Sequence, residues 1–335
     1  MMLEQKLEHT TDTCHITVFS KEITIKRVKQ YSILTIPNRV KVCILLSTYN
    51  GEKYLEEQLD SLVKQESVDI DILVRDDGST DGTTNILNKW QNKGYLKWYS
   101  GKNKGYALSF MDLVQNSGEY DFYAFCDQDD IWLPKKLISA IDKLEELKSP
   151  VKLYCSNLYY YKNGENFGLI KKQVPRYDIY TSIIQNIAAG CTIVFNRELK
   201  NIMTQCTPNY LIAHDFWAYQ VAMIFGEVYH DENSYIYYRQ HDNNQIGAKT
   251  SIIDKWERRI KRLFSKKTDG RAAQAQELLR CYSNELSIEK QNIISLVANY
   301  NNIWTRAKLF FDNRYTMGST IGNILFRIKI IFGKL

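Results

Sequence analysis

The stretch Phe125-Cys126-Asp127-Gln128-Asp129-Asp130-Ile131-Trp132, closed by Pro134, places three carboxylates within four residues. They follow directly on the apolar run Phe122-Tyr123-Ala124-Phe125, which reads as a short buried strand, so the acids stand at its carboxyl end. Neighbouring carboxylates repel one another, and burying them unpaired is costly. A divalent cation with bound phosphate oxygens offsets that cost, because hard cations take oxygen ligands from one or two carboxylates plus a diphosphate. The plainer alternative is an acidic loop before a helix starting near Pro134, with Asp130 stabilising its first turn. A D-x-D triplet is short and common, so the surrounding chain must decide between the two.

Upstream, strands and helices alternate. Val42-Cys43-Ile44-Leu45-Leu46 is a continuous apolar run, as expected of a parallel strand covered on both faces. Helical spacing follows at Tyr54, Leu55, Gln58, Leu59, Leu62 and Val63. Ile70-Asp71-Ile72-Leu73-Val74 predicts a second strand, and residues 81–92 a helix capped by Ser79 or Asp81. Further strands are expected over 95–99 and 122–126, with helices over 106–114 and 134–148. This alternation implies an open, doubly wound sheet whose ligand sits at the carboxyl ends of the strands, where Ser47, Asp76, Asp77 and the acids of 127–130 converge. Beyond residue 150 the pattern gives a hairpin turning at Asn163-Gly164, a strand over 190–195 after Ala188-Ala189, a helix opening at 213–217, and a strand over 235–244.

Composition sets the class. A 335-residue chain with 44% hydrophobic and 24% charged residues is an ordinary globular protein. Seven cysteines without a C-x-x-C pair, several inside apolar runs (Cys43, Cys126, Cys191), read as reduced core residues of a cytosolic protein. The polar N-terminus predicts no signal segment, and no apolar run is long enough to predict a transmembrane helix. The net charge of +6 is uneven: residues 251–335 hold 16 Lys/Arg against 7 Asp/Glu, whereas residues 1–250 hold 28 against 31. The expected organisation is an N-terminal extension over 1–39, a catalytic domain over 40–250 and a basic helical region over 251–335. Without a recognition module, those basic residues do not predict nucleic-acid binding.

Five ordered motifs carry a more specific signal: Ser47-Thr48-Tyr49-Asn50, Asp76-Asp77-Gly78-Ser79-Thr80-Asp81, Asp127-Gln128-Asp129-Asp130, His214-Asp215 and Gln240-His241-x-x-Asn244. Together, over residues 40–245, they resemble the family 2 glycosyltransferases of the GT-A fold, a mixed and mostly parallel α/β sheet flanked by helices. The form D-Q-D-D-I-W with a late Y-R-Q-H is most similar to bacterial rhamnosyltransferases of cell-wall or capsular polysaccharide synthesis. The resemblance implies a nucleotide-sugar donor, dTDP-rhamnose or a UDP-sugar, and a glycan or lipid-linked glycan acceptor. It implies Ser47 and Tyr49 in the base pocket, with Asp77 accepting the base N–H, while Asp76 beside Arg75 forms a structural ion pair. Asp127 would hold the ribose or the metal, Asp129 would bind Mg2+ or Mn2+ directly, and His241 would add an imidazole ligand. Lys104 would approach the phosphates, unless its loop is only a solvated basic one. Asp215 is the implied general base, unless it only caps its helix. His214 stands where the family usually carries an acid; Asp130 and Trp217 are further candidates on the acceptor side, Trp217 either stacking on a sugar or packing.

In the basic region, Trp256, Ile260, Leu263 and Phe264 share one side, and a last helix aligns Ile321, Ile324, Leu325, Ile328, Ile331 and Leu335, with Phe326 and Ile330 widening the apolar surface. Such a helix either lies on the anionic inner face of the membrane, making a cytoplasmic protein peripheral, or packs on the catalytic domain or a second subunit. Two rivals remain at this level. A nucleotidyltransferase should carry a Gly- and Arg-rich phosphate loop after the first strand, which Ser47-Thr48-Tyr49-Asn50-Gly51 is not. A non-catalytic nucleotide-binding partner is opposed by the intact acids Asp77, Asp127, Asp129 and Asp215.

Overall fold

A computed structural model describes residues 6–8, 31–33, 39–170, 176–240 and 268–335. The chain forms two compact units, Met1–Arg39 and Val40–Leu335. In the first, β1 (Lys6–Glu8) pairs antiparallel with β2 (Tyr31–Ile33). The strands expected at 18–19 and 23–25 lie outside the described residues.

The second unit is built on β3 (Lys41–Thr48), β4 (Asp69–Asp76), β5 (Lys97–Ser100), β6 (Phe122–Cys126), β7 (Ile131–Trp132), β8 (Lys152–Lys162), β9 (Glu165–Leu169), β10 (Val194–Asn196) and β11 (Glu227–Arg239). They make a nine-stranded sheet in the order β5-β4-β3-β6-β10-β8-β11-β7, with β9 paired to β8. The pairs β3–β4, β4–β5, β3–β6 and β8–β11 are parallel; β10, β7 and β9 run antiparallel to their neighbours. Leu46 lies opposite Cys126 and Thr48 opposite Asp76, so β3, β4 and β6 end at one level and release their polar loops into one crevice.

The continuous apolar runs are explained by cover on both sides. Cys43, Leu45, Tyr123 and Phe125 face one core, and Val42, Ile44, Leu46, Ala124 and Cys126 face the other. The second core is closed by α1 (Leu55–Leu62), α2 (Thr83–Asn92) and α4 (Lys136–Glu146). The first is closed by α3 (Tyr106–Asn116), α5 (Ile179–Ile184), α6 (Arg197–Gln205) and α7 (His214–Phe225). After the undescribed stretch 241–267 come α8 (Arg271–Tyr282), α9 (Ile288–Ala298), α10 (Ile303–Phe311) and α11 (Thr320–Ile331). Leu278, Ile294, Leu309, Phe326 and Ile330 bury themselves in the same core as α7. Among the described residues no helix is long and apolar enough to cross a membrane.

Several local expectations change. The hairpin turn forms as read, with Asn163 and Gly164 both at positive φ. The strand expected over 190–195 instead begins as a 3-10 turn, Gly190–Thr192. Its glycine is required by close approach, since a Cβ there would sit 2.7 Å from His214 Nε2. Asp130 does not cap α4, which starts after Lys135 without a side-chain cap. The cysteines also need correcting. Cys43, Cys126, Cys155 and Cys191 are buried and outside any disulfide, but Cys206 and Cys281 form one with Cα atoms 5.5 Å apart. Seventy-five residues separate them in sequence, so only the packing of α8 against the end of α6 brings them together. Cys14 lies outside the described residues.

Trp217 is fully buried between the sheet and the C-terminal helices, its ring 6.0 Å from that of Tyr282. It therefore packs and does not stack on a sugar. Trp217→Ala should lower unfolding stability by about 3–5 kcal/mol in denaturant melts. A loss under about 1 kcal/mol would contradict this placement.

Candidate active site

The three motif loops are tied to one another by side-chain hydrogen bonds. Gln128, the middle residue of the D-x-D, accepts from Thr48 Oγ1 (2.6 Å) and Tyr49 N (2.9 Å) and donates to Tyr49 O (3.2 Å). Asn50 N donates to Ser79 Oγ (2.8 Å), while Asn50 Oδ1 accepts from Thr80 N (2.8 Å). These bonds leave Tyr49 exposed at the mouth of the crevice, where a ring can stack on a flat base.

Beneath them lies a buried ionic network. Asp77 pairs with Arg75 and accepts from the backbone N–H groups of Lys104 (2.9 Å) and Gly105 (2.9 Å). Arg75 also donates to Ser109 Oγ (3.0 Å) and Lys102 O (3.1 Å), and Ser109 Oγ meets Ser47 Oγ at 2.7 Å. The partner of Arg75 is thus Asp77, not Asp76. Asp76 instead accepts from Gly78 N, Ser79 N and Ser100 Oγ. The ammonium of Lys104 bonds Asp112 on α3, 2.5 Å away, so its nearest anion belongs to the protein and not to a phosphate.

The acids after β6 are crowded. Carboxylate oxygens of Asp127 and Asp130 and the Cys191 thiol all lie within 4.8 Å of one another. Burial first, then the charges of Asp129 and Asp215, push the Asp127 carboxyl up to about 7. Burial first, then the charges of Asp129 and Asp127, hold Asp130 well above the usual carboxylate range. Its Oδ1 accepts from Arg239 N at 3.1 Å, and its Oδ2 lies by the Cys191 thiol without a nitrogen or oxygen donor. Such an oxygen-rich set, short of donors, fits a hard divalent cation. Among the described residues, those gathered within reach of one ion are Asp127, Asp130 and Cys191; Asp129, expected from the sequence to bind the metal directly, is not in that group. Lys136, buried with its ammonium 3.5 Å above the Trp132 ring, gives a partial counter-charge; burial lowers its pKa to about 8 and Asp130 opposes that fall.

Arg239, at the end of β11, holds this loop in place. It donates from Nε to Asp129 O (2.9 Å), pairs with Glu57 (2.5 Å) on α1, and lies over the rings of Tyr54 and Tyr161. His241 falls outside the described residues.

On the other side, Asp215 sits in the first turn of α7, whose N-cap is Ala213, so it does not cap the helix. Burial raises its carboxyl to about 6, against hydrogen bonds from Phe216 N, Asn186 and Gly190. His214 is not an acceptor contact: its ring is buried, stacked on Phe110 at 3.8 Å between centroids and edge-on to Phe125. Burial takes its pKa down to about 3, so it stays neutral. Tyr106, half-exposed at the start of α3, bridges the two sides. Its hydroxyl donates to Ile212 O (3.3 Å), and its pKa is raised by burial and by the charges of Asp215 and Asp127. The loop over 206–213 leading to Asp215 is in turn held by α8, through Gln274 to Ile212 N (2.6 Å), Glu277 to Asn209 N (2.8 Å) and Arg280 to Thr207 O (2.8 Å).

Gln128, Arg239 and Tyr106 escaped the sequence reading, and Arg75 entered it only as a partner of Asp76. Gln128 and Arg239 stand inside recognised motifs, which is a usable signal, whereas nothing around Tyr106 marks it. Arg75→Met should leave the Asp77 carboxylate buried and unpaired, lowering stability by about 3–5 kcal/mol in urea melts; retention of wild-type stability would refute the network.

Residues 43–212 match the model of Glycosyl transferase family 2. The chain is 34% identical over 228 residues to the dTDP-rhamnosyl transferase RfbG of Shigella flexneri, an alignment spanning 64% of this chain and 77% of that protein. Among solved structures it is similar to Staphylococcus aureus TarS 1-349 in complex with UDP-GlcNAc, at TM-score 0.52 and 20% identity, over 88% of this chain and 89% of that one. It is also similar to the mannosyltransferase PcManGT of Pyrobaculum calidifontis in complex with GDP-Man and Mn2+, at TM-score 0.50 and 17% identity, over 89% of both chains. The sheet order is that of the GT-A fold, and with more than half its length matched to the family model the chain belongs to glycosyl transferase family 2, enzymes that take a sugar from a nucleotide donor.

Proposed function

We propose that the chain is an inverting, metal-dependent glycosyltransferase that moves L-rhamnose from dTDP-rhamnose to a hydroxyl of a polysaccharide or lipid-linked glycan, at the cytoplasmic face of the cell membrane. The observation carrying this reading is that Asp215 lies near enough to Asp127 for its charge to raise the Asp127 carboxyl, with both charges also bearing on Tyr106. Direct displacement needs this arrangement: leaving-group acids on one side of the sugar, a base on the other.

The residues divide the work as follows. Ser47 and Tyr49 receive the base, with Tyr49 stacking on the pyrimidine. Asp77, already bonded to Arg75, Lys104 N and Gly105 N, fixes the loop around the base and turns its remaining lone pair toward the ring N–H. Asp127 and Asp129 hold Mg2+ or Mn2+, which when bound supplies positive charge to the departing diphosphate. Asp130 supports Asp127 from behind. Asp215 accepts the proton of the acceptor hydroxyl as its oxygen forms the new bond to the anomeric carbon and the C–O bond to the diphosphate breaks. One displacement inverts the centre, so a β-linked donor gives an α-rhamnoside. The likeness to RfbG supports the rhamnose donor. A UDP-sugar donor is the second reading, supported by the likeness to TarS with UDP-GlcNAc.

Asp215 works as the carboxylate, so nucleoside diphosphate release should rise with pH through about 6 and level off above it. Asp215→Asn should abolish turnover and keep donor binding; comparable turnover in this variant would remove Asp215 from the base role. In thermal-shift screens, dTDP-rhamnose with Mn2+ should protect the wild type, and Asp129→Ala should lose most of the cation-dependent part. Protection by UDP-sugars alone would replace the donor, and an unchanged cation effect in the variant would overturn the metal assignment.

A further inference from the structure

The last two helices are apolar on both sides. In α11, Phe326 and Ile330 point into the core, and Leu335 is buried beyond them, whereas half of the stripe read from the sequence faces outward: Ile321, Ile324 and Ile331 are exposed, Leu325 and Ile328 are half-buried, and Phe332 is exposed just beyond the helix. In α10, Leu309 is buried, while Ile303, Trp304 and Phe311 on the opposite side are 74%, 77% and 76% exposed. The two helices touch, Arg306 Nη1 of α10 donating to Ile331 O of α11 at 3.4 Å. A helix apolar all round is ordinarily covered all round, and exposed aromatics and isoleucines in this number mark an interaction surface.

Charge identifies the occupant. Residues 303–335 hold six Lys/Arg against one Asp; Arg314 and Lys329 are paired with Asp312 and Asp269 and Arg327 bonds backbone carbonyls, while Lys308 lies on the exposed side of α10 between Trp304 and Phe311. A second copy meeting this face through a two-fold axis would set like charges together. An anionic bilayer satisfies both the apolar residues and the charge, and tryptophan suits the headgroup boundary.

We propose that the outer face of α10 and α11 is a membrane-docking surface that seats the enzyme on anionic lipid, inserting Trp304 and Phe311 to the depth of the headgroups. It deepens, and for its purpose rests on, the reading of a lipid-linked acceptor. The contact itself is measured with no donor or acceptor present.

The test is flotation of the full chain with liposomes of phosphatidylcholine alone, or containing about one quarter phosphatidylglycerol. The wild type should float with the anionic vesicles and not the neutral ones, with a blue shift in tryptophan emission. The double variant Trp304→Ala/Phe311→Ala should keep its melting temperature, since both side chains are exposed, and lose about tenfold or more in partitioning. Asp215→Asn should float like the wild type, so a failed catalytic assignment leaves this result standing. Absence of flotation, or equal flotation of the wild type and the double variant, overturns the proposal. So does sedimentation showing a wild-type dimer that the double variant dissolves, which would assign the face to a second copy.

Discussion

Mutual repulsion among carboxylates governs the active centre. Asp127, Asp129 and Asp130 bear on one another, and Asp215 on Asp127, in a region where burial already opposes ionisation, and the raised carboxyls of Asp127 and Asp130 express both. Such a group stays folded only if the surrounding structure fixes it. Arg239 holds the D-Q-D-D loop through a main-chain oxygen and a side-chain carboxylate, Gln128 ties it to the end of β3, and Lys136 sits beneath it. The same crowding makes a cation and a diphosphate welcome.

Asp77 and Arg75 do for the loop after β4 what Arg239 does for the D-Q-D-D loop. A buried pair of this kind contributes little net stability over an apolar substitute, but losing one partner is costly. Its value here is geometric: Asp77 gathers Lys104 N and Gly105 N, which fixes where α3 begins and so where Tyr106 enters the crevice.

The helices beyond residue 268 are more than an attachment. Through Gln274, Glu277 and Arg280, α8 holds the loop that ends at Asp215, and Gln274 continues to Gln220 on α7. The helix bearing Asp215 therefore shares a buried polar chain with the region that carries the exposed apolar face.

The order of strands and helices, the edge on which the acids gather and the identity of the family were legible in the sequence, because buried parallel strands need unbroken apolar runs and the motifs are contiguous. Tertiary structure alone decided which charges meet. Arg75 chose Asp77 over its nearer neighbour Asp76, Lys104 turned to Asp112, His214 and Trp217 went into the core, and Cys206 found Cys281. Each outcome depends on the direction of a side chain relative to an element far away in the chain, and local periodicity carries no record of that. For the same reason the sequence could mark the last helix as apolar on one stripe, and only its packing through Phe326 and Ile330 left Ile321, Ile324 and Ile331 of that stripe exposed while Leu335 went into the core.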